Sequence, residues 1–369
     1  MKITDVRAMY LRLPEIKSRT DSSQDALIIE VETDEGLIGY GEVDSCPSVA
    51  KAIIDAPTSH TQVHGLRSLL LGEDPLQIRY LWNKMYQGTL YYGRSGAVIH
   101  AMAGVDLALW DLKGKALGQP VHSLLGGAFQ RSIPAYASHM FGFTPQETAE
   151  RAKQAVDGGF RAVKFGWEPF GRDAAEDEAQ VRAIRNAVGQ STRVMIDVGL
   201  AWDAPTTIQR AKLLQPYDVF WLEEPVPPDD LVGYAWIAGQ LEQRLAAGEQ
   251  ECTAQGFVQL MDRAKVDVVQ IDMTRVGITQ AMVIAEMAFQ RGIKVCNHAF
   301  TTRLNTAAAA HFLAAIPNAL MLEYCVEPGE LTQKLVRSDS VLEDGNVRVG
   351  DDPGLGVSLD REVIDKYRI

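Results

Sequence analysis

Three carboxylic acids recur at a constant spacing in the second half of the chain. Asp197, Glu223 and Glu249 are separated by equal intervals, and each follows a short apolar run. At equivalent ends of successive strand–helix units they would lie side by side, where buried carboxylates repel one another unless a cation neutralises them. Oxygen ligands of this kind suit Mg²⁺. The spacing therefore predicts a magnesium site.

The same repeat continues into a candidate acid/base pair. Asp272 and His298 end the next two apolar runs, separated by the same interval, and Glu323 follows after an almost equal one. A carboxylate that accepts a hydrogen bond from one imidazole nitrogen fixes the tautomer and raises the basicity of the other nitrogen. We therefore expect Asp272 and His298 to form an acid/base dyad in the pocket.

A lysine is expected on the other side of this pocket. In the run from Ala162 to Gly166, strand alternation turns Lys164 inwards and its neighbours Val163 and Phe165 outwards. Lys164 then faces the proposed metal, either as a base of depressed pKa or as the cation that holds a substrate carboxylate. The residues leave both roles open.

Short apolar runs alternating with helical stretches must position these groups. Eight such runs follow Arg131, a pattern typical of β/α repeats and a parallel sheet. Eight units in about 200 residues fit a (β/α)₈ barrel, whose active sites lie at the carboxyl ends of the strands. The runs are 133–137, 160–165, 194–198, 219–222, 245–247, 266–271, 293–296 and 319–322.

The two ends of the chain do not show the β/α repeat pattern. Residues 1–125 combine strand-like alternation and a hairpin turn at 34–36 with helical spacing from about residue 48 to 115. The tail, 331–369, is rich in Gly, Asp and Pro and too short for a core of its own. We predict an α/β fold: a modified TIM (β/α)₈-type barrel over 126–330, an α+β capping domain over 1–125, and a tail returning to the cap.

The amino-acid composition argues against some classes of binding partner. The 369 residues carry a formal charge of −12, which argues against nucleic acid or an anionic membrane surface as the main partner. Four dispersed cysteines indicate reduced thiols, and the N-terminus has no secretion signal pattern. We therefore expect a cytoplasmic protein that does not span a membrane.

Several longer strings carry a family resemblance over essentially the whole chain. They are SGAVIHAMAGVDLALWDLKGKALGQPVHSLLGG at 95–127, LEEP at 222–225, AGEQ at 247–250, VVQIDMTRVG from 268, CNHAF from 296 and PGLGV from 353. The chain resembles the enolase superfamily, within it the mandelate racemase subgroup. The resemblance implies a capped barrel in which one Mg²⁺ binds a carboxylate substrate while a base removes the α-proton. It also implies a homo-oligomer.

By position, the resemblance assigns roles to the residues singled out above. It makes Asp197, Glu223 and Glu249 metal ligands and Asp272 with His298 the acid/base dyad. It makes Glu323 the acid that donates a hydrogen bond to the substrate carboxylate. The second strand departs from the pattern, because Gly166 stands where many members carry a second lysine, and Gly199 stands where related members often carry Asn or His.

One acid/base dyad suits β-elimination. The leading hypothesis is a Mg²⁺-dependent dehydratase of an acid sugar, an aldonate or aldarate, with His298 as general acid and Lys164 or His298 as base. The alternatives are a racemase or epimerase of a hydroxy or amino acid, and a non-catalytic binding protein on this scaffold. Candidate substrate contacts are Lys17, Arg19, Tyr92, Arg94, Trp167 and Arg275, with Tyr91 and His139 as further polar candidates.

Overall fold

The computed structural model describes residues 1–17 and 21–369. The chain begins with an antiparallel sheet in the order β1–β2–β3, whose second hairpin turns at Gly36 with φ of 78°. Five helices follow, three of which, the first, second and fourth, pack against this sheet. The strands are β1 (Ile3–Arg12), β2 (Asp25–Thr33) and β3 (Ile38–Val43), and the helices are α1 (Pro47–Asp55), α2 (Leu66–Leu70), α3 (Ile78–Gly88), α4 (Ala97–Leu117) and α5 (Val121–Leu124). Together these elements form the predicted cap.

Glycines allow the long helix α4 to lie directly on β3. A Cβ built at Gly41 would lie 1.9 Å from the Gly104 carbonyl oxygen, and one at Gly39 would lie 2.0 Å from the Ala108 carbonyl oxygen. The helix is therefore buried around most of its circumference, which explains its apolar composition.

The rest of the chain builds the barrel. Seven parallel strands pair in sequence order from β4 to β10, and the eighth, β11, pairs with β4. The strands are β4 (Ser132–Met140), β5 (Ala162–Gly166), β6 (Arg193–Asp197), β7 (Val219–Glu223), β8 (Arg244–Ala247), β9 (Val268–Asp272), β10 (Lys294–His298) and β11 (Leu322–Cys325). The helices are α6 (Pro145–Asp157), α7 (Ala174–Val188), α8 (Ala204–Leu214), α9 (Leu231–Ala238), α10 (Ala254–Gln259), α11 (Met273–Val276), α12 (Ile278–Gln290) and α13 (Arg303–Ala314). The predicted modified barrel is confirmed.

A layer of side chains closes the barrel interior below the site. Seven strands contribute one residue each, and Met321 adds the eighth just before β11. The eight are Tyr136, Ala162, Met195, Trp221, Ala246, Val268, Cys296 and Met321. Because side chains alternate along a strand, residues two positions further on rise above this layer, and they include Lys164, Asp197 and Glu223. The apolar layer therefore supports the polar groups from one side and excludes water from the barrel interior beneath them.

The eighth strand begins later than the sequence pattern predicts. The run 319–322 lies mostly before β11, because Ala319 makes only an isolated bridge to Val295 while Leu322 starts the paired segment. Apolar composition alone cannot place a strand boundary here. Glu323 therefore lies inside β11, where its amide donates to Asn297 Oδ1 at 2.8 Å across the seam with β10.

The tail contacts both parts of the molecule. A hairpin of β13 (Val341–Glu343) and β14 (Asn346–Arg348) pairs with β4, and β12 (Val336–Ser338) pairs with β15 (Val357–Leu359). The remaining helices are α14 (Glu330–Lys334) and α15 (Arg361–Tyr367). The final residue donates its amide to the Tyr10 carbonyl of β1 at 3.1 Å. The domain division at residues 125 and 330 stays a prediction.

Buried polar contacts fasten the cap to the barrel around the strand ends. Glu42 accepts hydrogen bonds from the backbone and hydroxyl of Thr302, the N-cap of α13, and Asp106 accepts two from Thr279 on α12. Burial raises the pKa of Glu42 to about 8 and that of Asp106 to about 7.

Within the described residues, no helix combines the length and apolar character needed to cross a bilayer.

Candidate functional site

Three buried carboxylates meet at the carboxyl ends of β6, β7 and β8. Asp197 and Glu223 are the last residues of adjacent strands and stand in register, and Glu249 lies two residues past β8. One oxygen of each lies within 4.8 Å of the others. Burial and mutual repulsion raise the pKa of Asp197 well above its usual value and also raise that of Glu223. An oxygen-only set short of positive charge fits Mg²⁺, so these residues suit the predicted ligand set.

Other groups fix the ligand orientations. The backbone amide of Gly199 donates to Asp197 Oδ1 at 2.9 Å, and the indole of Trp221 donates to Glu223 Oε2 at 3.0 Å. These bonds occupy one oxygen of each carboxylate, and the other oxygens, Asp197 Oδ2 and Glu223 Oε1, lie near Lys164. Hydrogen bonding of this kind is the usual way in which a protein prepares a metal ligand.

Lys164 points inward, as alternation predicts. Its Nζ lies 2.5 Å from Glu223 Oε1, 2.7 Å from Glu323 Oε1 and 3.9 Å from Asp197 Oδ2. Burial by itself would lower the pKa of Lys164, but Glu223 and Glu323 outweigh it and raise the pKa well above its usual value. These carboxylates favour the ammonium form of Lys164, which suits the role of carboxylate holder, and its role as a base stays a prediction.

The predicted dyad is assembled on β9 and β10. His298 Nδ1 lies 2.6 Å from Asp272 Oδ2, and the amide and hydroxyl of Thr274 donate to Asp272 Oδ1 at 2.7 and 2.5 Å. Burial opposes charge on both partners, but their hydrogen bond lowers the pKa of Asp272 to about 2. Glu249 and Asp272 raise the pKa of His298 to about 10. His298 Nε2 lies 3.4 Å from Glu249 Oε2, so the imidazole joins the dyad to the carboxylate cluster.

Glu323 is close to these groups, but as an acceptor. Its Oε2 accepts the Ala299 amide at 2.7 Å, while Lys164 pairs with Oε1. Burial would raise the pKa of Glu323, but Lys164 and His298 lower it overall. The donor role implied by the family stays a prediction, and it requires a proton that this environment does not favour.

One cavity of about 180 Å³ opens onto these groups. Lys164, Asp197, Glu249 and His298 line it, as do three of the predicted substrate contacts, Trp167, Arg275 and His139. The remaining described residues around it are Ser138, Met140, Gly166, Gln250 and Phe300. The cavity therefore places an ammonium group, an imidazole and carboxylates around one small-molecule space.

Other predicted substrate contacts lie elsewhere or outside the described residues. The Tyr92 hydroxyl donates to the His64 carbonyl within the cap, and Arg94 lines a separate groove beside Cys252. These two were predicted because polar cap residues suit a hydroxylated ligand, but the cap fold commits them away from the cavity. Lys17 is exposed and stays a prediction, and Arg19 lies outside the described residues.

The two departures from the family pattern have steric counterparts. A Cβ built at Gly166 would lie 2.8 Å from Asp197 Oδ2, so a side chain at this position, where many members carry a second lysine, would have to displace the Asp197 carboxylate. A Cβ at Gly199 would lie 2.8 Å from Cε3 of the Trp167 indole. Both glycines therefore shape the cavity wall.

Some lining residues were missed from the sequence although a signal existed. Ser138 lies on β4 two residues after the interior residue Tyr136, so strand alternation could have predicted it. Phe300 lies two residues after His298, beyond the end of β10, where strand alternation no longer applies. Gln250 directly follows Glu249 and donates to its Oε1 at 3.3 Å. The cap residue Asp44 had no signal, because its contact with Arg275 at 2.8 Å joins residues more than 200 positions apart.

Comparisons with known proteins agree with this geometry. The mandelate racemase/muconate lactonizing enzyme N-terminal domain matches residues 2–126, and the enolase C-terminal domain-like family matches residues 147–363. An arabinonate dehydratase of Saccharolobus solfataricus is 30% identical over 358 residues, covering 96% of this chain and 93% of its own.

Solved structures match along the full length. The 3,6-anhydro-D-galactonate cycloisomerase of Zobellia galactanivorans has a TM-score of 0.91 at 29% identity, covering 100% of both chains. A racemase from Streptomyces coelicolor A3(2) with bound magnesium has a TM-score of 0.88 at 28% identity, also covering 100% of both chains. The chain therefore belongs to the enolase superfamily, in its mandelate racemase and muconate lactonizing enzyme family.

Proposed function

We propose that this protein is a Mg²⁺-dependent hydro-lyase that dehydrates an acid sugar to a 2-keto-3-deoxy acid. The observation that carries the proposal is the asymmetry of the cavity. A complete Asp272–His298 dyad occupies one side, whereas Gly166 leaves the other side without the second lysine, and the Asp197 carboxylate lies against that position. One acid/base group suits elimination better than the two-base chemistry of a racemase.

Asp197, Glu223 and Glu249 would hold the metal. When bound, Mg²⁺ supplies positive charge beside the substrate carboxylate and so favours loss of the neighbouring C2 proton. The Lys164 ammonium group lies in the same cavity and would contribute a second positive charge to the carboxylate.

Within the substrate, the proposed elimination breaks the C2–H and C3–O bonds and forms a C2–C3 π bond. A base takes the C2 proton, the C2–H electron pair forms the C2–C3 double bond, and the C3 hydroxyl leaves as water after receiving a proton. The resulting enol takes a proton at C3 and loses the proton of its C2 hydroxyl to solvent, which gives the 2-keto acid. His298 is our proposed general acid at C3, because Asp272 fixes its Nδ1 and leaves Nε2 for the substrate. Lys164 and His298 are the two candidates for the C2 base.

The arabinonate dehydratase relative supports a hydro-lyase on an acid sugar. A racemase or epimerase is the second candidate, because Lys164 and His298 line the same cavity and could serve opposite faces of C2. The racemase with bound magnesium among the structural relatives belongs to this class by name. The expected cytoplasmic homo-oligomer stays a prediction.

A substrate screen tests the proposal. The purified protein is incubated with a library of aldonates and aldarates, with Mg²⁺ and separately with EDTA, and 2-keto-3-deoxy products are measured. We expect product from at least one acid sugar only when Mg²⁺ is present. We expect none from the His298→Asn variant, which should still bind Mn²⁺. Product formation in EDTA, or near-normal turnover by His298→Asn, would contradict the assignment.

A further inference from the structure

The cavity has two chemically different sides. Gln250 and Arg275, which follow β8 and β9, form a polar side. Met140, Trp167 and Phe300, which lie at or beyond the ends of β4, β5 and β10, form an apolar side, next to which the polar residues Ser138 and His139 of β4 also line the cavity. A ligand hydroxyl placed against the carbon atoms of the apolar side gains no hydrogen-bond partner from them, and burying an unpaired hydroxyl is unfavourable.

The central residue of the apolar side is held in an uncommon backbone conformation. Trp167 has φ of 64°, a region that bulky side chains rarely adopt and that persists only where the surroundings enforce it. Its amide donates to the Asp197 carbonyl at 3.3 Å, and its carbonyl accepts the Phe170 amide at 3.2 Å. These bonds tie the backbone of Trp167 to the strand that ends in a proposed metal ligand.

The indole of Trp167 also fills space that Gly199 vacates. A Cβ at Gly199 would lie 2.8 Å from Cε3 and 2.9 Å from Cδ2 of the indole. The ring therefore lies against the Gly199 backbone, and a side chain at 199 would displace it. The position of the indole thus depends both on the backbone of Trp167, after β5, and on the absence of a side chain at Gly199, after β6.

We propose that Trp167, seated on Gly199, is a specificity-determining residue that selects acid sugars with an apolar terminal carbon, a methyl group in place of hydroxymethyl. The inference rests on the proposed function and deepens it by naming the substrate class. An aromatic face packs favourably against C–H groups, whereas a terminal hydroxyl set against the ring carbons loses its water without gaining a partner from them. The polar side remains available to the hydroxyls of the inner carbons.

The test uses pairs of acid sugars of the same configuration that differ only in a terminal methyl or hydroxymethyl group. We expect wild-type kcat/KM to favour the methyl member of the preferred pair by at least about tenfold. Trp167→Ala should reduce this ratio to within about threefold of unity, and Trp167→Phe should keep part of it. Trp236→Ala, the same change on the exposed face of α9, is the matched control and should leave the ratio unchanged.

A second variant guards against misfolding of the first. Gly199 has φ of 61°, where Asn is the side chain best tolerated, so Gly199→Asn displaces the indole with little backbone strain. It should reduce the methyl preference as Trp167→Ala does. A wild-type ratio near unity or favouring hydroxymethyl, or a ratio that both folded variants leave unchanged, would overturn the proposal.

A binding measurement separates this inference from the proposed function. Calorimetric affinities of the same pairs, measured with Mg²⁺ in the His298→Asn background, give a selectivity ratio that does not depend on turnover. A methyl preference in binding that Trp167→Ala abolishes supports the proposed selectivity of Trp167, even if no acid sugar is dehydrated. Absence of dehydration would then refute only the proposed dehydratase function. Dehydration without any methyl preference would refute only the proposed selectivity of Trp167.

Discussion

Replacing Asp272 by Asn should remove the carboxylate that stabilises the His298 imidazolium and leave a neutral imidazole protonated only at Nε2. Both hydrogen bonds from Thr274, one from its amide and one from its hydroxyl, end on Asp272 Oδ1. An asparagine must therefore place its oxygen there, which turns its NH₂ group towards His298 Nδ1, 2.6 Å from the present Oδ2. His298 Nδ1 then becomes an acceptor, and Nε2 is left carrying the only ring proton.

The cost of this change follows from the proposed role of His298. In the variant, neutral His298 can no longer take a proton at Nε2, and the imidazolium form loses its carboxylate partner. General acid–base catalysis contributes about 10²- to 10⁴-fold, so we expect kcat to fall by that factor, about 3–5 kcal/mol in activation free energy. Because Asp272 is not one of the three proposed ligands and reaches Glu249 only through His298, Mn²⁺ affinity should change by less than about threefold.

The assay is steady-state turnover of the best acid sugar from the screen, with Mn²⁺ affinity and thermal stability measured alongside. Asp262→Asn is the matched control, since Asp262 pairs with Arg291 on the surface and should leave kcat unchanged. ¹⁵N chemical shifts of the His298 ring report the tautomer directly. A folded Asp272→Asn variant with kcat within threefold of wild type would refute the tautomer argument.

Three further changes probe the ligand cluster and the scaffold. Glu223→Gln should weaken Mn²⁺ binding at least tenfold, measured by calorimetry, because an amide replaces a charged ligand. Gly166→Ala should also weaken it, because the new Cβ would lie 2.8 Å from Asp197 Oδ2, whereas Gly239→Ala, with its nearest atoms at 3.6 Å, should not. Burial lowers the pKa of His311 to about 3, so as pH falls below about 6.5 the unfolded chain gains a proton that the native state excludes. Urea unfolding should show that His311→Asn removes about 3 kcal/mol of the stability loss between pH 7 and 4.5.

The sequence was most informative where the barrel repeats. The constant interval between strand ends places Asp197 beside Glu223 and Asp272 beside His298, because each β/α unit returns the chain to the same end of the next strand. Alternation likewise predicts that Lys164 faces the interior. These features depend on local periodicity, which a single sequence displays.

Features that depend on packing between distant segments were not predictable. The ion pair of Asp44 with Arg275 and the placement of Arg94 in a separate groove follow from how the cap sits on the barrel. The sequence showed that Gly166 and Gly199 were unusual, but only the fold shows the atoms that would collide with a side chain there. Residue type and spacing predicted which side chains meet better than they predicted the shape of the cavity.

Incubation with an acid sugar and Mg²⁺ in D₂O, followed by ¹H NMR, tests the central claim most directly. Dehydration predicts a 2-keto-3-deoxy acid carrying one deuterium at C3, because the enol takes its new proton from a group in exchange with solvent. The remaining substrate should not have inverted at C2. Recovery of the C2 epimer with deuterium at C2 and no keto acid would contradict the account and establish the racemase instead.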